Sequence, residues 1–263
     1  ESRSERHRGE PLRPLFDLYR EFDDGRIAGM AATGLYGDRL ASPVLAGLPV
    51  EIAQEEAAGW LLPEGPLNIV RIGGGGYSVL ARDARGGIAY EANERCSAGT
   101  GETVEGLCAR LGRTLDEAIE LAAAAPDGLA VTSRCAVFAK SELTHFANQG
   151  ETHGRIFRGL FTGVARNVHS LYDKSRVDGP LILIGNGALI GPVAQAVIER
   201  NGGQGDVAEH AAVFEAIGAM LRAAKDGTDA VFPADPAALV GAARTRIGRL
   251  APAPRGAVRA VKE

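Results

Sequence analysis

Two cysteines stand in matching sequence contexts. Cys96 follows an arginine in the run NERCSAGTG, and Cys135 follows an arginine in the run TSRCAVFA, 39 positions later. Both directly precede a stretch with a helical pattern, and the unpaired amides and positive dipole end of a helix start favour a thiolate. Such a thiolate can act as a nucleophile, as a redox thiol or as a ligand of a soft metal.

Two cysteines are fewer than the four thiolates that an iron–sulfur cluster usually takes. A symmetric dimer removes the difficulty, because two chains that each place two cysteines at a two-fold axis supply four ligands. The alternative is that the cysteines are small apolar residues of the core, which is the common role of a single cysteine. The third one, Cys108, lies inside a predicted helix and is assigned to the core.

Glycines cluster at two further places. Four of them, Gly73–Gly76, separate two predicted strands, and a buried strand at 180–184 runs into a second glycine turn. The first turn would let backbone amides approach a phosphate, and the second would let the backbone pack against an adenine or a ribose. Each turn alone is also typical of a simple strand connection. The candidate cofactor-binding residues are Gly73, Gly74, Gly185, Asn186, Gly187 and Ala188.

Periodicity and turn signals predict the elements that position these residues. Helices are expected at 12–24, 50–61, 100–124, 136–149, 151–173, 188–201 and 208–225. The helical stretch at 100–124 is broken near Gly112, where Thr114 and Glu117 have the spacing of a capping box. Strands are expected at 26–33, 67–72, 77–81, 88–92 and 180–184. Strands that alternate with helices and end in glycines indicate an α/β architecture with ligands at the strand ends.

Composition excludes several classes. The chain has 263 residues with 29 Lys and Arg against 33 Asp and Glu, a net charge of −4, which argues against a general nucleic-acid or anionic-membrane binder. No apolar run reaches the ~18 residues that a membrane span needs. Three cysteines imply no disulfide framework, and a cytoplasmic location is therefore expected.

Together these motifs resemble the ATP-dependent activators of 2-hydroxyacyl-CoA dehydratases and the related ATPase subunits of benzoyl-CoA reductase. The resemblance covers residues of about 26 to 225 and is most specific in the two cysteine segments. The matching segments, in order, are 31–39 (AATGLYGDR), 72–74 (IGG), 93–101 (NERCSAGTG), 133–143 (SRCAVFAKSEL), 185–188 (GNGA) and 215–219 (EAIGA).

The resemblance implies a two-lobed actin-like (ribonuclease H-like) ATPase fold, with the first lobe incomplete. It implies a homodimer, or a pair of homologous subunits, that shares one 4Fe–4S cluster on Cys96 and Cys135 of each chain. It also implies ATP or ADP with Mg²⁺ as a cofactor, and an electron-accepting dehydratase or reductase as the partner. The expected organisation is an N-terminal helix and frayed end at 1–25, the ATPase domain at 26–250 and a flexible tail at 251–263.

Two departures bear on ATP hydrolysis. Family members have a first phosphate loop well ahead of the Ala-Thr-Gly segment, and none of the roughly thirty residues before Thr33 resembles it. Their second loop begins and ends with an aspartate, where this chain has Arg71 and Gly76. Carboxylates hold Mg²⁺ and orient water in phosphoryl transfer, whereas an arginine can only neutralise a phosphate. Weak or lost ATPase activity is therefore expected.

Three functions remain open at this point. The favoured one is an iron–sulfur electron-transfer subunit whose ATPase motifs are degraded. The second is a competent ATP-hydrolysing activator whose first phosphate loop lies outside this chain. The third is a structural or regulatory subunit that keeps only the fold, with its cysteines as ordinary thiols.

Overall fold

The computed structural model describes residues 2–5, 7, 10–22, 27, 29–41, 43–62, 64–93, 101–132, 135–226 and 231–241. Its helices are α1 (Leu12–Phe22), α2 (Val50–Leu61), α3 (Gly101–Arg110), α4 (Leu115–Ala124), α5 (Ala136–Asn148), α6 (His153–Ser175), α7 (Gly191–Arg200) and α8 (Phe214–Asp226). Its strands are β1 (Ala31–Thr33), β2 (Leu45–Leu48), β3 (Leu67–Ile72), β4 (Tyr77–Arg82), β5 (Ile88–Ala92), β6 (Leu181–Ile184) and β7 (Asp206–Val207). None of the helices in this part of the chain is long and apolar enough to cross a bilayer.

A five-stranded mixed sheet forms the centre of the larger unit. Its order is β5-β4-β3-β6-β7; β3, β4 and β5 are antiparallel neighbours, and β3, β6 and β7 are parallel neighbours. Strand β3 pairs on both sides and both of its faces are buried, and the burial of both faces is why four of the six residues of LNIVRI are apolar. The carboxyl ends of β3 and β6 therefore lie side by side.

The two faces of this sheet carry separate cores. Val70 and Ile72 face the larger core, which is built with α3 to α7 around the buried helix α6. Leu67 and Ile69 point to the other face, which α2 and α8 cover. Burying such apolar side chains contributes roughly 1.5–3 kcal/mol each, so strand β3 is fixed from both sides.

Helices α2 and α8 cross at very short range. A Cβ placed on Gly218 would lie 1.7 Å from the carbonyl oxygen of Ala53, so only glycine fits there. This close crossing sets the height of α8 over the sheet and brings Glu215, in the first turn of α8, to the end of strand β3.

A smaller unit packs at the other end of α8. Strands β1 and β2 form a two-stranded parallel sheet that contacts α8. Beside it, Tyr19 of α1 donates a hydrogen bond through its hydroxyl to the carbonyl of Pro233 at 2.7 Å, and Tyr19, Leu40, Val44 and Leu239 form a separate small core. The domain limits expected from the sequence stay a prediction.

Most predicted elements are confirmed, and some boundaries are wrong. The strand expected at 26–33 is described only at Ala31–Thr33, with residues 26 and 28 outside the described part. The helices expected to begin at 188 and 208 begin at Gly191 and Phe214, because each is preceded by a short 3₁₀ turn. Strands β2 and β7 were not predicted, since neither has more than four residues or an alternating pattern.

Candidate functional site

The two glycine turns meet at one edge of the sheet. Strand β3 leads into Gly73 and its parallel neighbour β6 leads into Gly185, with Arg71 opposite Ile184. A Cβ on Gly185, which has φ 86°, would lie 2.6 Å from the carbonyl oxygen of Ile72. The second turn can therefore pass over the end of β3 only because it is made of glycine.

The second turn continues as a short 3₁₀ helix at Asn186–Leu189. The amide of Gly185 donates to the carbonyl of Ala211 at 2.7 Å, which ties this turn to the segment before α8. Gly187 and Ala188 are buried against β3, whereas Asn186 is exposed. In this short helix Asn186 and Leu189 present their side chains to solvent.

The first turn is fastened to the start of α3. Within the turn, the amide of Gly73 donates to the carbonyl of Gly76 at 2.8 Å. The amides of Gly101 and Glu102, at the start of α3, donate to the carbonyls of Gly73 and Gly74 at 3.1 Å and 3.3 Å. The first amides of this helix thus bind the turn itself, and the open side of the turn is formed by Gly74 and Gly75, which are exposed.

An ion pair occupies the place where the resembling proteins have an aspartate. The Nε of Arg71 lies 2.8 Å and 3.0 Å from the two carboxylate oxygens of Glu215. The amide nitrogen Nε2 of Gln54 donates to the same carboxylate at 2.8 Å. Glu215 is in the first turn of α8, where the helix dipole also favours a negative charge. The carboxylate therefore has three stabilising neighbours and is committed to this contact.

The guanidinium of Arg71 lies directly on the glycine turn. A Cβ on Gly73 would be 2.8 Å from its Nη1 and 2.9 Å from its Cζ. Two buried polar atoms near this ion pair have no partner among the described residues: Oε1 of Gln54 and Oγ of Ser78, the residue opposite Arg71 on β4. Since buried polar groups are nearly always hydrogen-bonded, these two atoms are an exception to the usual pattern beside the ion pair.

Of the two predicted cluster ligands, Cys135 is described and Cys96 lies outside the described residues. Cys135 is the N-cap residue of α5, with extended backbone angles (φ −140°, ψ 126°), and its carbonyl accepts from the amide of Ala139 at 2.9 Å. Its side chain is half-buried and caps none of the first amides of α5. The predicted placement of this cysteine at a helix start is confirmed.

The segment before Cys135 is anchored by a carboxylate. Glu142, two turns into α5, accepts hydrogen bonds from the amide of Thr132 at 2.5 Å and from its hydroxyl at 2.7 Å. Hydrogen bonds to a charged acceptor are about twice as strong as neutral ones. Thr132, three positions before Cys135, is therefore bound to α5 itself, a role of Glu142 that sequence reasoning missed although Glu142 lies in the resembling segment.

The side chains next to Cys135 are apolar and exposed. Val137 and Phe138, in the first turn of α5, are 67% and 64% exposed. Large apolar side chains at adjacent positions on a surface are typical of a contact with another protein. A thiol and an apolar edge thus stand together on one surface.

Cys108 differs from Cys135 in its burial and in its position within a helix. It is fully buried in the larger core, as the sequence predicts. Burial, with a smaller contribution from the nearby carboxylate of Glu105, raises the pKa of its thiol to about 12. Among the described residues no group of three or more His, Cys, Asp or Glu side chains is placed to hold a metal ion. The predicted joint ligation by Cys96 and Cys135 involves a segment outside those residues.

The fold and these segments place the chain in a known group. The family model described as "BadF/BadG/BcrA/BcrD ATPase family" matches residues 35–223. This chain belongs to that family. The match includes the glycine turns, both cysteine segments and most of α8, so the resemblance found in the motifs is confirmed.

Curated relatives carry activator names. The chain is 32% identical to the activator of lactoyl-CoA dehydratase of Anaerotignum propionicum over 130 residues, which is 49% of this chain and 50% of that protein. It is 26% identical to the 2-hydroxyisocaproyl-CoA dehydratase activator of Clostridioides difficile, over 62% of each chain. The chain therefore spans between half and about three-fifths of the length of these relatives.

Solved structures show the same fold. The activator of the 2-hydroxyisocaproyl-CoA dehydratase from Clostridium difficile, with bound ADPNP, superposes with a TM-score of 0.74 at 23% identity, over 82% of this chain and 81% of that chain. Component A of the (R)-2-hydroxyglutaryl-CoA dehydratase of Acidaminococcus fermentans gives 0.73 at 24% identity, over 82% and 84%. The predicted actin-like α/β fold class is confirmed.

Proposed function

We propose that this chain is an iron–sulfur electron-transfer subunit of the dehydratase-activator type, with its ATPase motifs degraded. The observation that carries the proposal is the start of α5. There Cys135 stands at a helix N-terminus that its own side chain does not cap, in a segment that resembles the one carrying a cluster ligand. The names of the relatives, which are activators of acyl-CoA dehydratases, support an acyl-CoA dehydratase as the partner, and a reductase of the benzoyl-CoA reductase type is proposed from the motif resemblance alone.

The described residues fit one of the two ligands that a 4Fe–4S cluster needs from each chain. The thiol of Cys135 is half-buried at a helix start, an environment that favours the thiolate required of a ligand. When bound, the cluster would supply reversible one-electron transfer at low potential. The chain's own contribution would be the helix start of α5 beside the thiolate, with Glu142 holding Thr132 three positions earlier, and the apolar side chains of Val137 and Phe138 to exclude water.

The same apolar edge supports a dimer. Two copies, or two homologous subunits, that meet through Val137 and Phe138 would each bring Cys135 to the shared surface. This arrangement supplies the remaining thiolates from Cys96 and from the second chain. It also covers the two largest exposed apolar side chains of α5.

The glycine turns would hold an adenine nucleotide. Gly73 and Gly74 would face its phosphates, and Gly185, Asn186, Gly187 and Ala188 would face its adenosine part. The support is that both turns lie at the carboxyl ends of parallel strands, which is where α/β sheets bind ligands, and that a structural neighbour contains ADPNP. Hydrolysis is expected to be poor, since the carboxylate at this edge, Glu215, is already committed to Arg71 and Gln54.

Iron analysis tests the electron-transfer proposal. The chain purified without oxygen is expected to contain about two irons per polypeptide, half of one 4Fe–4S cluster, with absorbance near ~400 nm. Cys96→Ala and Cys135→Ala should each lose the iron, whereas Cys108→Ala, the matched control, should keep it. Full iron content in both of the first two variants would contradict ligation by Cys96 and Cys135, and no iron in the native chain would favour a structural or regulatory subunit.

A second candidate is a competent ATP-hydrolysing activator whose first phosphate loop lies outside this chain. It is favoured by the finding that the chain spans only half to three-fifths of its curated relatives. Phosphate release decides between the two. Under both candidates the isolated chain should release little phosphate from ATP, and turnover near ~1 s⁻¹ only after a candidate partner that supplies the missing loop is added would favour the second candidate. Turnover near that rate by the isolated chain would mean that its phosphate loops are not degraded.

A further inference from the structure

The guanidinium of Arg71 is held by only one of its three nitrogens. Nε binds Glu215, while Nη1 and Nη2 lie against Gly73 and donate to none of the described residues. The side chain is 31% exposed. Two parallel N–H groups of an arginine match two oxygens of a phosphate, so the outward-facing part of Arg71 has the geometry of an anion-binding group.

The backbone of the glycine turn beside Arg71 is also suited to binding an anion. The carbonyls of Gly73 and Gly74 are used by the start of α3, whereas the amides of Gly74 and Gly75 donate to none of the described residues. No atom lies within 4 Å of a Cβ built on either glycine, so the space above them is open. Successive backbone amides that face open space form an anion-binding concavity.

We infer that this turn binds a phosphate group of an adenine nucleotide directly, through the Nη groups of Arg71 and the amides of Gly74 and Gly75, without a divalent cation. The inference rests on the proposed assignment of the glycine turns to a nucleotide. It departs from the Mg²⁺ dependence that the resemblance implies, because a cation at Arg71 would repel Mg²⁺ and because Glu215 is engaged by two donors.

The carboxylate of Glu215 competes with a bound phosphate for the guanidinium of Arg71. Phosphate and carboxylate both attract the guanidinium, so the ion pair weakens the binding of phosphate. When Arg71 turns toward a phosphate, the amide of Gln54 still donates to Glu215, which therefore keeps a partner. Removal of the negative charge at Glu215 should for this reason strengthen the binding of nucleotide.

Titration calorimetry on the full chain tests the inference. The probes are ADP, inorganic pyrophosphate and adenosine, each measured with EDTA and with excess Mg²⁺. ADP and pyrophosphate should bind at least as tightly with EDTA as with Mg²⁺. Arg71→Gln should weaken both at least tenfold and leave adenosine unchanged, and Glu215→Gln should strengthen both several-fold.

Both substitutions break the same ion pair, so opposite effects on affinity cannot come from a general loss of structure. Arg85→Gln is the matched control, because Arg85 is an exposed arginine in the glycine-containing turn at the other end of β4, and it should change nothing. Circular dichroism confirms that each variant is folded.

Three results would overturn the inference: binding that requires Mg²⁺, no binding of ADP or pyrophosphate by the native chain, or unchanged or tighter binding by Arg71→Gln. The last would mean that the guanidinium fills the site. Iron is measured on the same preparations. A chain that binds ADP in this way but holds no iron contradicts the electron-transfer proposal alone, and a chain that holds iron but needs Mg²⁺ contradicts this inference alone.

Discussion

Helix α4 begins at Thr114, whose side chain caps it, whereas helix α5 begins at Cys135, whose side chain caps nothing. At α4 the hydroxyl of Thr114 accepts from the amide of Glu117 at 3.2 Å, and the carboxylate of Glu117 accepts from the amide of Thr114 at 2.8 Å. The hydrogen bond from that backbone amide lowers the pKa of Glu117. Both backbone amides that this capping box can reach therefore have a hydrogen-bond acceptor.

At α5 the stabilising carboxylate is placed elsewhere. Glu142 binds Thr132, three residues ahead of the cap, and so holds the incoming chain without covering the helix start. A thiol is a weak hydrogen-bond acceptor, so Cys135 is a poor N-cap. Helix α4 therefore has a stabilising side-chain cap that α5 lacks, and the proposed ligand role of Cys135 gives a reason for keeping a poor cap at some cost in stability.

The largest expected difference lies in thiol reactivity. In metal-free protein on a Cys96→Ala background, Cys135 should react with iodoacetamide at least ~10³-fold faster than Cys108 at pH 7.5. Cys108 is buried and its pKa is raised to about 12, so only a very small fraction is thiolate and the core must open before it reacts. Peptide mass spectrometry after timed quenching measures both rates, and similar rates would remove the distinction between the two thiols.

The raised pKa of Cys108 also predicts a loss of stability at high pH. Because the folded-state pKa of Cys108 is raised above that of an unfolded thiol, its contribution is complete below about pH 8.5 and is lost as the pH rises toward 12. The expected slope is at most about 1.4 kcal/mol per pH unit. Urea unfolding of native protein and Cys108→Ala between pH 8 and 10.5 should show a shallower slope for the variant.

The next largest effect concerns Glu142. Glu142→Ala leaves the amide and hydroxyl of Thr132 without their acceptor and should lower the free energy of unfolding by about 2 kcal/mol. Glu142→Gln keeps one acceptor oxygen and should lose roughly half as much. Glu120→Ala, at an exposed position of α4, is the control and should stay within about 0.5 kcal/mol. An equally small change for Glu142→Ala would show that the hydrogen bonds between Glu142 and Thr132 do not stabilise the fold.

The capping box of α4 should have an intermediate effect. Thr114→Ala removes the side-chain acceptor for the amide of Glu117 and should cost about 1 kcal/mol in urea unfolding. Thr162→Ala is the matched control, because that hydroxyl donates to the carbonyl of Arg158 within helix α6 and caps nothing. If both variants lost the same stability, the contrast between the two helix starts would have no energetic basis.

The smallest effect has the opposite sign. Cys135→Ser places a good N-cap residue at α5 and should raise the free energy of unfolding of metal-free protein by roughly 0.5–1 kcal/mol. The same variant should lose the iron of the anaerobic protein. Thr114→Ser, which exchanges one good cap for another, should be nearly neutral. A destabilised Cys135→Ser protein would mean that the native thiol already stabilises the helix start.

Much of the fold and of the cysteine region follows from local sequence. The capping-box spacing at Thr114, the helix start after Cys135 and the core position of Cys108 are all recorded in stretches of a few residues, because hydrogen bonds at a helix start and helical periodicity are short-range effects. Strand β7 was missed for the complementary reason: its two residues form a strand only because β6 offers an edge to pair with.

The glycine-turn region was decided by tertiary structure. The sequence by itself determined that glycines follow β3 and β6, and that Arg71 replaces an expected acid. It could not show that Arg71 meets Glu215, 144 positions away, because that contact depends on how closely α8 crosses α2 at Gly218. Nor could it show that the second turn passes over Ile72, directly before the first turn, since this requires the parallel pairing of β3 with β6. Contacts between distant segments follow from the packing of whole elements against a shared core, and no local pattern records them.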